Sequence, residues 1–343
     1  MVPVTAFNSL APLHLEVREA ISAALEQGWA DPRHLSQAGH RAGLLKSAAI
    51  EEFAAFCGVP ASKIEVTGEP ALLPYLSLLG FKNETRSLHY SAIDRGKIRA
   101  IGATTPDSHI LTVDSNGEIT PPQIQGALLS LQSINGETGI RQNLNNFKSD
   151  SQYVVIDATA DFPSKSLTEG CAASTFDALS WGGPSGIGFL VLGDEANFHY
   201  PLPHIAPIRT PGSYSLPLLI GAVTALTHYS PESAQETYSY AKRVLGAIDG
   251  VTVVASETLS QEKYLSLIVR QISSDELLRR LAERSIYCDA GSACNPAYLA
   301  PSHVLNAMGY STDGHLRITI HPTTNVESVD VLADAISEIL RTI

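Results

Sequence analysis

The sequence predicts an α/β protein with a largely parallel sheet, followed by a compact α+β unit. Helical patterns alternate with short apolar runs along most of the chain, which is typical of layered α/β folds. One run, from Tyr153 to Ile156, is rich in β-branched and aromatic residues and ends at Asp157, as expected of a buried strand. From Glu232 onward the pattern changes and favours a separate α+β region.

The elements of the first part follow from periodicity and turn residues. Helices are expected at 16–25 and 38–56, strands at 64–67, 109–113 and 153–156, an apolar segment at 71–79 and a turn at 114–117. A strand–turn–strand is expected at 177–192, where a Gly/Pro-rich turn separates two apolar runs. Leu216 to Leu226 is predicted to be a buried helix, because it is too short to span a bilayer.

The last part is expected to form the smaller domain. It should contain helices at 232–248, at 275–283, around 304–308 and from 326, and strands at 251–255, 265–269, 285–287 and 316–320. We therefore assign residues 15–232 to the large domain, and residues 1–14 with 233–343 to the small domain.

The composition excludes several function classes. The 343 residues are 44% hydrophobic and 17% charged, and the formal net charge of -12 argues against binding to nucleic acid or an anionic membrane. The N-terminus lacks the features of a signal peptide, and four cysteines in so long a chain do not make a disulfide scaffold. A soluble cytoplasmic protein is expected.

A loop of small residues, Gly291-Ser-Ala-Cys294, carries the most prominent thiol. A flexible loop can move a thiol between two partners, provided that the thiolate forms. From composition alone, an idle loop cysteine is the commoner interpretation. Cys288 and Cys294 are spaced more widely than a zinc knuckle and have no recognisable second pair, so no metal site is expected.

Two charged residues lie on predicted strands. Asp157 ends its strand, and α/β proteins place ligands at the carboxyl ends of parallel strands, although an aspartate there can equally cap a helix or turn. Arg317 alternates with apolar residues in 316–320. Such an arginine is usually exposed or ion-paired, but its guanidinium is also suited to holding a carboxylate.

Several segments resemble the cysteine desulfurases of the class V aminotransferase family, which use pyridoxal phosphate (PLP). They are Gly291-Ser-Ala-Cys294 with Ser302-His-Val-Leu305, Ser133-Ile-Asn-Gly-Glu-Thr-Gly139, and the strand–turn–strand at 177–192. The resemblance runs from Phe7-Asn8 to the C-terminal Arg317-Ile-Thr319. It implies PLP-transferase fold type I, with a large doubly wound, mostly parallel sheet domain and a small α+β C-terminal domain. It also implies a homodimer with sites at the subunit interface.

The resemblance implies roles for individual residues. Cys294 would be catalytic and would take sulfur from cysteine as a persulfide. Arg317 would hold the substrate carboxylate. The cofactor-binding residues would be His89, stacked on the ring, Asp157, paired with the pyridinium nitrogen, Asn135, and Ser213, which replaces a threonine that touches the phosphate.

The turn that should carry the cofactor lysine is changed. No lysine occurs between Lys165 and Lys242, so this turn offers no primary amine for a Schiff base. Counted without gaps from Gly183-Pro184, Ser180 occupies the lysine position. An alignment that deletes the lysine segment matches the preceding strand better, and we prefer it.

Two further parts of the cofactor site depart from the family. The phosphate-binding turn is Thr67-Gly-Glu-Pro-Ala71, in which Pro70 removes an N–H donor and Glu69 would repel a dianion. The Gly-rich mouth of the site is reduced to Gly212-Ser213, and Ala160 replaces a glutamine that contacts the cofactor.

These departures predict a degenerate desulfurase-like protein without covalent PLP, acting as a scaffold or binding partner in sulfur or iron–sulfur metabolism. Two alternatives stay open: an active cysteine desulfurase that forms a persulfide on Cys294, and a PLP-free persulfide relay through the same thiol. A sulfur-acceptor protein is a possible partner in each case.

Overall fold

The structure is a computed structural model that describes residues 5–120, 125–147, 152–205, 208–210, 212–229, 231–256, 262–291, 301–321 and 323–343. Its α-helices are α1 (Leu15–Gln27), α2 (Gln37–Cys57), α3 (Leu73–Leu79), α4 (Gly96–Thr104), α5 (Leu216–His228), α6 (Pro231–Gly246), α7 (Ser274–Ala282), α8 (His303–Ala307) and α9 (Val326–Arg341). Its strands are β1 (Thr5–Ala6), β2 (Ile64–Thr67), β3 (Leu88–Ser91), β4 (Ser108–Leu111), β5 (Leu128–Gln132), β6 (Tyr153–Asp157), β7 (Ala173–Asp177), β8 (Gly188–Leu192), β9 (Val251–Val253), β10 (Tyr264–Val269), β11 (Ile286–Tyr287) and β12 (His315–Thr319).

The larger sheet has seven strands in the order β2-β8-β7-β6-β5-β3-β4. Neighbours from β7 to β4 are parallel, whereas β8 runs antiparallel to β2 and β7. The predicted α/β class with a mostly parallel sheet is therefore confirmed. Because the parallel strands share one direction, their carboxyl ends meet along one edge.

Apolar side chains cover both faces of this sheet, as its central parallel strands require. On one face, Phe53 of α2 stacks on Phe189 of β8 with 3.7 Å between ring centroids, and Trp181 packs beside them. On the other face, Leu73 of α3 belongs to the same buried cluster as Leu190. The sheet is thus fixed between helices, and its carboxyl edge has a rigid base.

Helix α5 confirms the buried helix predicted from Leu216 to Leu226. Ser215 caps it by accepting a hydrogen bond from the N–H of Leu218, and Pro217 lies in its first turn. The helix packs against α1 and belongs largely to the core. Among the helices formed by the described residues, none combines the length and the apolar character needed to cross a membrane.

The smaller sheet is antiparallel, with β10 between β9 and β12. Helices α6, α7 and α9 share one apolar core with it. Strand β1 pairs in parallel with β11, so the N-terminal strand lies beside the C-terminal part of the chain. The predicted domain limits at 14/15 and 232/233 stay a prediction.

Candidate functional site

The carboxyl edge of the larger sheet brings three polar residues together. Gln132 ends β5, Asp157 ends β6 in register with it, and Asp177 ends β7. The prediction that Asp157 terminates a buried strand is confirmed, since β6 ends there and the residue is 5% exposed. This edge is where the fold would place a ligand.

Asp157 is already paired with a cation of its own chain. The Nε atom of Arg95 donates a hydrogen bond to its Oδ2 at 2.6 Å, and the N–H and hydroxyl of Thr159 donate to Oδ1 at 3.1 and 2.5 Å. Arg95 lies directly before α4, which follows β3 at the same edge. A buried carboxylate needs such partners, because desolvating an unpaired charge is costly.

Unpartnered donors surround this ion pair. Within the described ranges, Nη2 of Arg95, Nε2 of Gln132 and Oγ of Ser133 are buried without a hydrogen-bond partner. The N–H of Ser133 donates to the carbonyl of Asp157, so the three donors belong to one neighbourhood. Ordered water commonly satisfies buried donors of this kind.

Arg317 on β12 is also engaged. Its Nη2 donates to Oδ2 of Asp289 at 2.7 Å, and its Nη1 donates to the carbonyl of Gly136 at 3.4 Å. Burial by itself would raise the pKa of Asp289, but the charge and hydrogen bond of Arg317, together with hydrogen bonds from Ser9, outweigh it and leave that pKa below its usual value. A carboxylate of this chain therefore lies where the resemblance places the carboxylate of a substrate.

Tyr264 is a further buried side chain near these charged groups. Its side chain is buried, its hydroxyl donates to the carbonyl of Ala160 at 3.5 Å, and burial raises its pKa. The phenol is within electrostatic reach of both Arg317 and Arg95. Ala160 stands where the resemblance places the glutamine that contacts a cofactor, so a tyrosine of this chain occupies that neighbourhood.

The phosphate-binding turn is closed by its own side chain. The carboxylate of Glu69 accepts a hydrogen bond from the N–H of Ala71 at 3.1 Å, and Pro70 between them has no N–H. The N–H of Ala71 is therefore already bonded to Glu69 and is not available to an anion. Ser213 lies close by, since a Cβ on Gly68 would be 2.8 Å from the Ser213 carbonyl oxygen, but the Ser213 side chain is exposed.

His89 does not lie at the carboxyl edge. It is within β3, where it pairs with Leu129 of β5, and Leu129 in turn pairs with Val154 of β6. Asp157 is three residues beyond Val154. At about 3.3 Å per residue, His89 is therefore roughly 10 Å short of Asp157 along the strand direction. Its ring stacks on His109 with 4.8 Å between centroids and shares a hydrogen bond with Ser87. Burial lowers the pKa of His89. The structure thus gives this histidine partners in the sheet.

Asn135 organises a turn. Its Nδ2 donates to the carbonyl of Ile93 and to Oε1 of Gln132, both at 2.9 Å, and its Oδ1 accepts from the N–H groups of Glu137 and Thr138 at 3.0 Å. These bonds use the amide's donors and acceptor for local structure. Asn135 therefore fixes the loop beside the edge, in contact with Gln132.

Cys294 lies outside the described residues, but both flanks of its segment are anchored. The N–H of Gly291 donates to Nδ1 of His315 at 3.1 Å, and the hydroxyl of Ser302 donates to Glu137. Burial lowers the pKa of His315 to about 3, with Arg317 adding to the effect, so its ring is neutral. The segment that carries the thiol therefore begins and ends on one buried group of residues.

Ser180 is buried in a short 3₁₀ turn after β7. Its hydroxyl donates to the carbonyls of Asp161 at 2.6 Å and Asp177 at 2.9 Å. The ammonium of Lys263 donates to the carbonyl of Ser180. Sequence reasoning missed this lysine, which precedes β10 and is 83 residues away in the chain. An amine therefore lies beside the turn that lacks a lysine of its own.

One group of possible metal ligands lies apart from this edge. His14, Glu16 and His228 are exposed and offer ligand atoms within 4.8 Å of one another. The two imidazole rings stack with 5.0 Å between centroids and 27° between planes, so their faces oppose each other. The absence of a metal site stays a prediction for this chain.

Solved structures share the fold over nearly the whole chain. A NifS-like protein aligns with a TM-score of 0.86 at 20% identity, over 99% of this chain and all of that one. The apo structure of cysteine desulfurase from Thermococcus onnurineus NA1 aligns with a TM-score of 0.83 at 17% identity, over 99% of this chain and 95% of that one. The fold is PLP-transferase fold type I, as the motifs implied.

Sequence comparisons indicate which proteins with this fold the chain is similar to. The sequence profile of the class V aminotransferases matches residues 210–332. The chain is 24% identical to a cysteine desulfurase of Nostoc sp. PCC 7120 over 97% of this chain and 92% of that enzyme. It is 25% identical to the cysteine desulfurase IscS of Methanosarcina thermophila over 67% of this chain and 63% of that enzyme. The chain is thus similar in sequence to cysteine desulfurases, and residues 210–332 match the class V aminotransferases, which confirms the resemblance.

PLP, the cofactor that this resemblance implies, does not fit the described residues. Both carboxylate oxygens of Asp157, which would pair with a pyridinium nitrogen, already accept hydrogen bonds, one from Arg95 and the other from Thr159. The donor of the phosphate turn is taken by Glu69, and Tyr264 is buried against Ala160. The turn at Ser180 offers a hydroxyl that is already bonded to two carbonyls. We therefore derive no chemistry through this cofactor.

Proposed function

We propose that this chain is a cysteine desulfurase-like protein that works without covalently held PLP, as a scaffold or binding partner in sulfur or iron–sulfur metabolism. The observation that carries the proposal is the Arg95–Asp157 ion pair at 2.6 Å. In a cofactor-dependent relative, the positive partner of this aspartate would come from the coenzyme. Here the chain supplies it.

The same principle extends across the site. Asp289 pairs with Arg317, and Glu69 bonds the N–H of Ala71. Each is a group with which a bound substrate or cofactor would otherwise have to interact. A ligand would have to break these contacts before forming its own, and separating the partly buried Arg317–Asp289 pair is costly. The geometry therefore favours a site that is stable without a coenzyme.

A persulfide relay is the second candidate. It is favoured by the anchoring of Gly291 and Ser302, which fixes both flanks of the Cys294 segment on His315 and Glu137. The Cys294 thiolate would attack the terminal sulfur of a donor persulfide. A persulfide would form on Cys294 and the donor thiolate would leave, so that neither an oxidant nor a coenzyme is required.

The first test measures turnover. The purified chain is incubated with cysteine, PLP and a thiol reductant, and alanine and sulfide are quantified beside Cys294→Ser and an authentic cysteine desulfurase. The proposal predicts product at the level of Cys294→Ser. Alanine formed well above that control would establish the active-desulfurase alternative and contradict the proposal.

The second test separates relay from scaffold. A desulfurase loaded with persulfide is mixed with wild type or Cys294→Ser, and persulfides are alkylated and mapped by mass spectrometry. Sulfur found on Cys294 of wild type supports the relay. A stable complex on gel filtration without transfer supports the scaffold. If neither a stable complex nor sulfur transfer is observed, both candidates are contradicted.

We further propose a cytoplasmic homodimer. Large exposed apolar side chains are frequent near the N-terminus and include Leu10, Leu15, Leu25, Trp29, Leu35 and Leu44. Exposed apolar surface of this kind commonly marks a protein interface. Light scattering coupled to gel filtration should give twice the mass of one 36.6 kDa chain. A monomeric mass at micromolar concentration would contradict the dimer.

A further inference from the structure

Lys263 lines a cavity that the proposed function does not use. The cavity has a volume of about 340 Å³, at the lower end of the roughly 300–1,000 Å³ that is typical of small-molecule sites. The residues that line it include Arg141, Asp161, Phe162, Tyr229, Glu262 and Lys263. We call it the Lys263 cavity. It combines an apolar wall with a primary amine.

The amine is held in an unusual setting. Lys263 is 8% exposed, its ammonium donates to the Ser180 carbonyl, and its backbone has a φ of 62°, in the left-handed region. That conformation is strained for an L-residue other than glycine. Strained backbone persists only where its surroundings enforce it, and it is frequent at functional sites. The backbone carbonyl of Lys263, which accepts from the N–H of Ile320, contributes to that enforcement.

Burial also makes the amine easier to deprotonate. It lowers the pKa of Lys263, although Tyr229, Asp161, Asp177 and Glu262 act in the opposite direction. A lysine in such surroundings offers more of its neutral, nucleophilic form than an exposed lysine does. This electrostatic effect adds to the geometry, in which a buried lysine lines a cavity.

The charges around the cavity define what can enter. Arg141 makes two hydrogen bonds to Asp161, at 2.8 and 2.9 Å, and also contacts Glu262. When Lys263 is neutral, these groups carry one positive and two negative charges, so an anionic ligand is repelled. Phe162 and Tyr229, stacked with 4.9 Å between centroids, provide an apolar surface for an uncharged molecule.

We propose that the Lys263 cavity binds a neutral aldehyde or ketone and holds it as an imine on Nζ of Lys263. The ammonium first loses a proton to solvent. The nitrogen lone pair then attacks the carbonyl carbon, and the carbonyl oxygen leaves as water with the two remaining amine hydrogens. No oxidant, reductant or coenzyme is needed. The inference concerns a cavity other than the Asp157 edge and does not depend on the proposed function.

The experiment uses the full chain with two matched probes, benzaldehyde and 4-carboxybenzaldehyde, followed by borohydride reduction and peptide mapping. Borohydride converts an imine into a stable secondary amine. Lys165 is the internal reference, because it is exposed and its ionic partner, Glu169, is 3.9 Å away. Cysteine and PLP are absent, so the outcome is independent of the tests of the proposed function.

We expect benzaldehyde to label Lys263 several-fold more than Lys165, and 4-carboxybenzaldehyde to label Lys263 several-fold less than benzaldehyde does. Lys263→Arg keeps a cation but cannot form an imine, so the adduct should disappear, whereas Lys165→Arg should leave it unchanged. Should Lys263→Arg fail to fold, the wild-type map alone decides. Labelling of Lys263 at or below that of Lys165 would overturn the proposal. Equal labelling by both probes would overturn the assignment to neutral carbonyl compounds.

Discussion

The carboxyl edge at Asp157 and the Lys263 cavity both contain buried charge, but they differ in how that charge is satisfied. At the edge, Arg95 and Asp157 form one ion pair, and Arg317 and Asp289 form a second one nearby. Lys263 instead donates a hydrogen bond to a neutral carbonyl, and its side chain lines a cavity of about 340 Å³. The charges of the first region are paired within the chain, whereas the ammonium of the second is bonded to an uncharged group.

This contrast indicates where in this fold a ligand can still react. A pair of opposite charges with good geometry has little to gain from a ligand, because the ligand must first break that pair. A buried amine beside a cavity keeps its reactive lone pair available once it has lost a proton. Resemblance to a family locates the first region, whereas the second is apparent only from the three-dimensional structure.

Removing Arg95 should have the largest effect. Arg95→Ala leaves the buried carboxylate of Asp157 without its cation, and since the Arg95 side chain is 36% exposed, the cost falls below that of a fully buried pair. We expect the free energy of unfolding to fall by about 2–3 kcal/mol. Urea denaturation measures it. Arg33→Ala, which removes an arginine whose side chain is 85% exposed, is the matched control and should show no measurable change. Equal stabilities of Arg95→Ala and wild type would show that the edge is not closed by this pair.

The second ion pair should give a smaller effect with a defined pH dependence. Asp289→Asn should lower the free energy of unfolding by about 1–2 kcal/mol at neutral pH, because Arg317 loses its carboxylate partner. Since the pKa of folded Asp289 lies below its ordinary value of 3.8, the stabilisation is complete above that value and is lost as the pH falls further. Denaturation at about pH 7 and about pH 3 tests this sign. A difference between the two proteins that grows in acid would be inconsistent with the pairing.

Replacing Lys263 should have the smallest effect. We expect Lys263→Met to change the free energy of unfolding by no more than about 1 kcal/mol at neutral pH, because loss of the bond to Ser180 is offset by relief of desolvation. Burial lowers the pKa of folded Lys263 below 10.5, so the unfolded chain binds more protons and wild type gains stability as the pH rises toward that value. Denaturation at about pH 7 and about pH 9.5 should show wild type gaining relative to the variant. A gain by the variant instead would mean that the ammonium is stabilised by the fold.

Much of the scaffold was predictable because its signals are local. The strand expected at 64–67 and the run ending at Asp157 match β2 and β6, and the helix expected at 38–56 differs from α2 by one residue at each end. The strands β3 and β5 were not predicted. They are short and place polar side chains such as His89 and Ser130 at buried positions, so the apolar run that identifies a buried strand is interrupted.

The site was only partly predictable, for a different reason. Asp157 could be placed at the sheet edge because it ends a recognisable strand. Its partner Arg95 is 62 residues away in sequence, and no local pattern links the two. His89 was assigned to the cofactor from its motif, whereas the backbone continues β3 through it and turns only after Ser91. Whether a charged side chain can bind a ligand depends on its partner elsewhere in the chain, and a local motif does not reveal that partner.

The most direct test of the account is a PLP-binding measurement on the purified chain. The protein is incubated with PLP, dialysed, scanned for the absorption of a lysine–PLP imine, then reduced with borohydride and mapped by mass spectrometry. Arg95 is paired with the Asp157 carboxylate, and the Lys263 cavity repels anions. We therefore expect no retained absorption band and no lysine that carries more PLP adduct than the exposed lysines do. A retained band that reduction fixes on a single lysine of this chain, Lys263 included, would contradict the account.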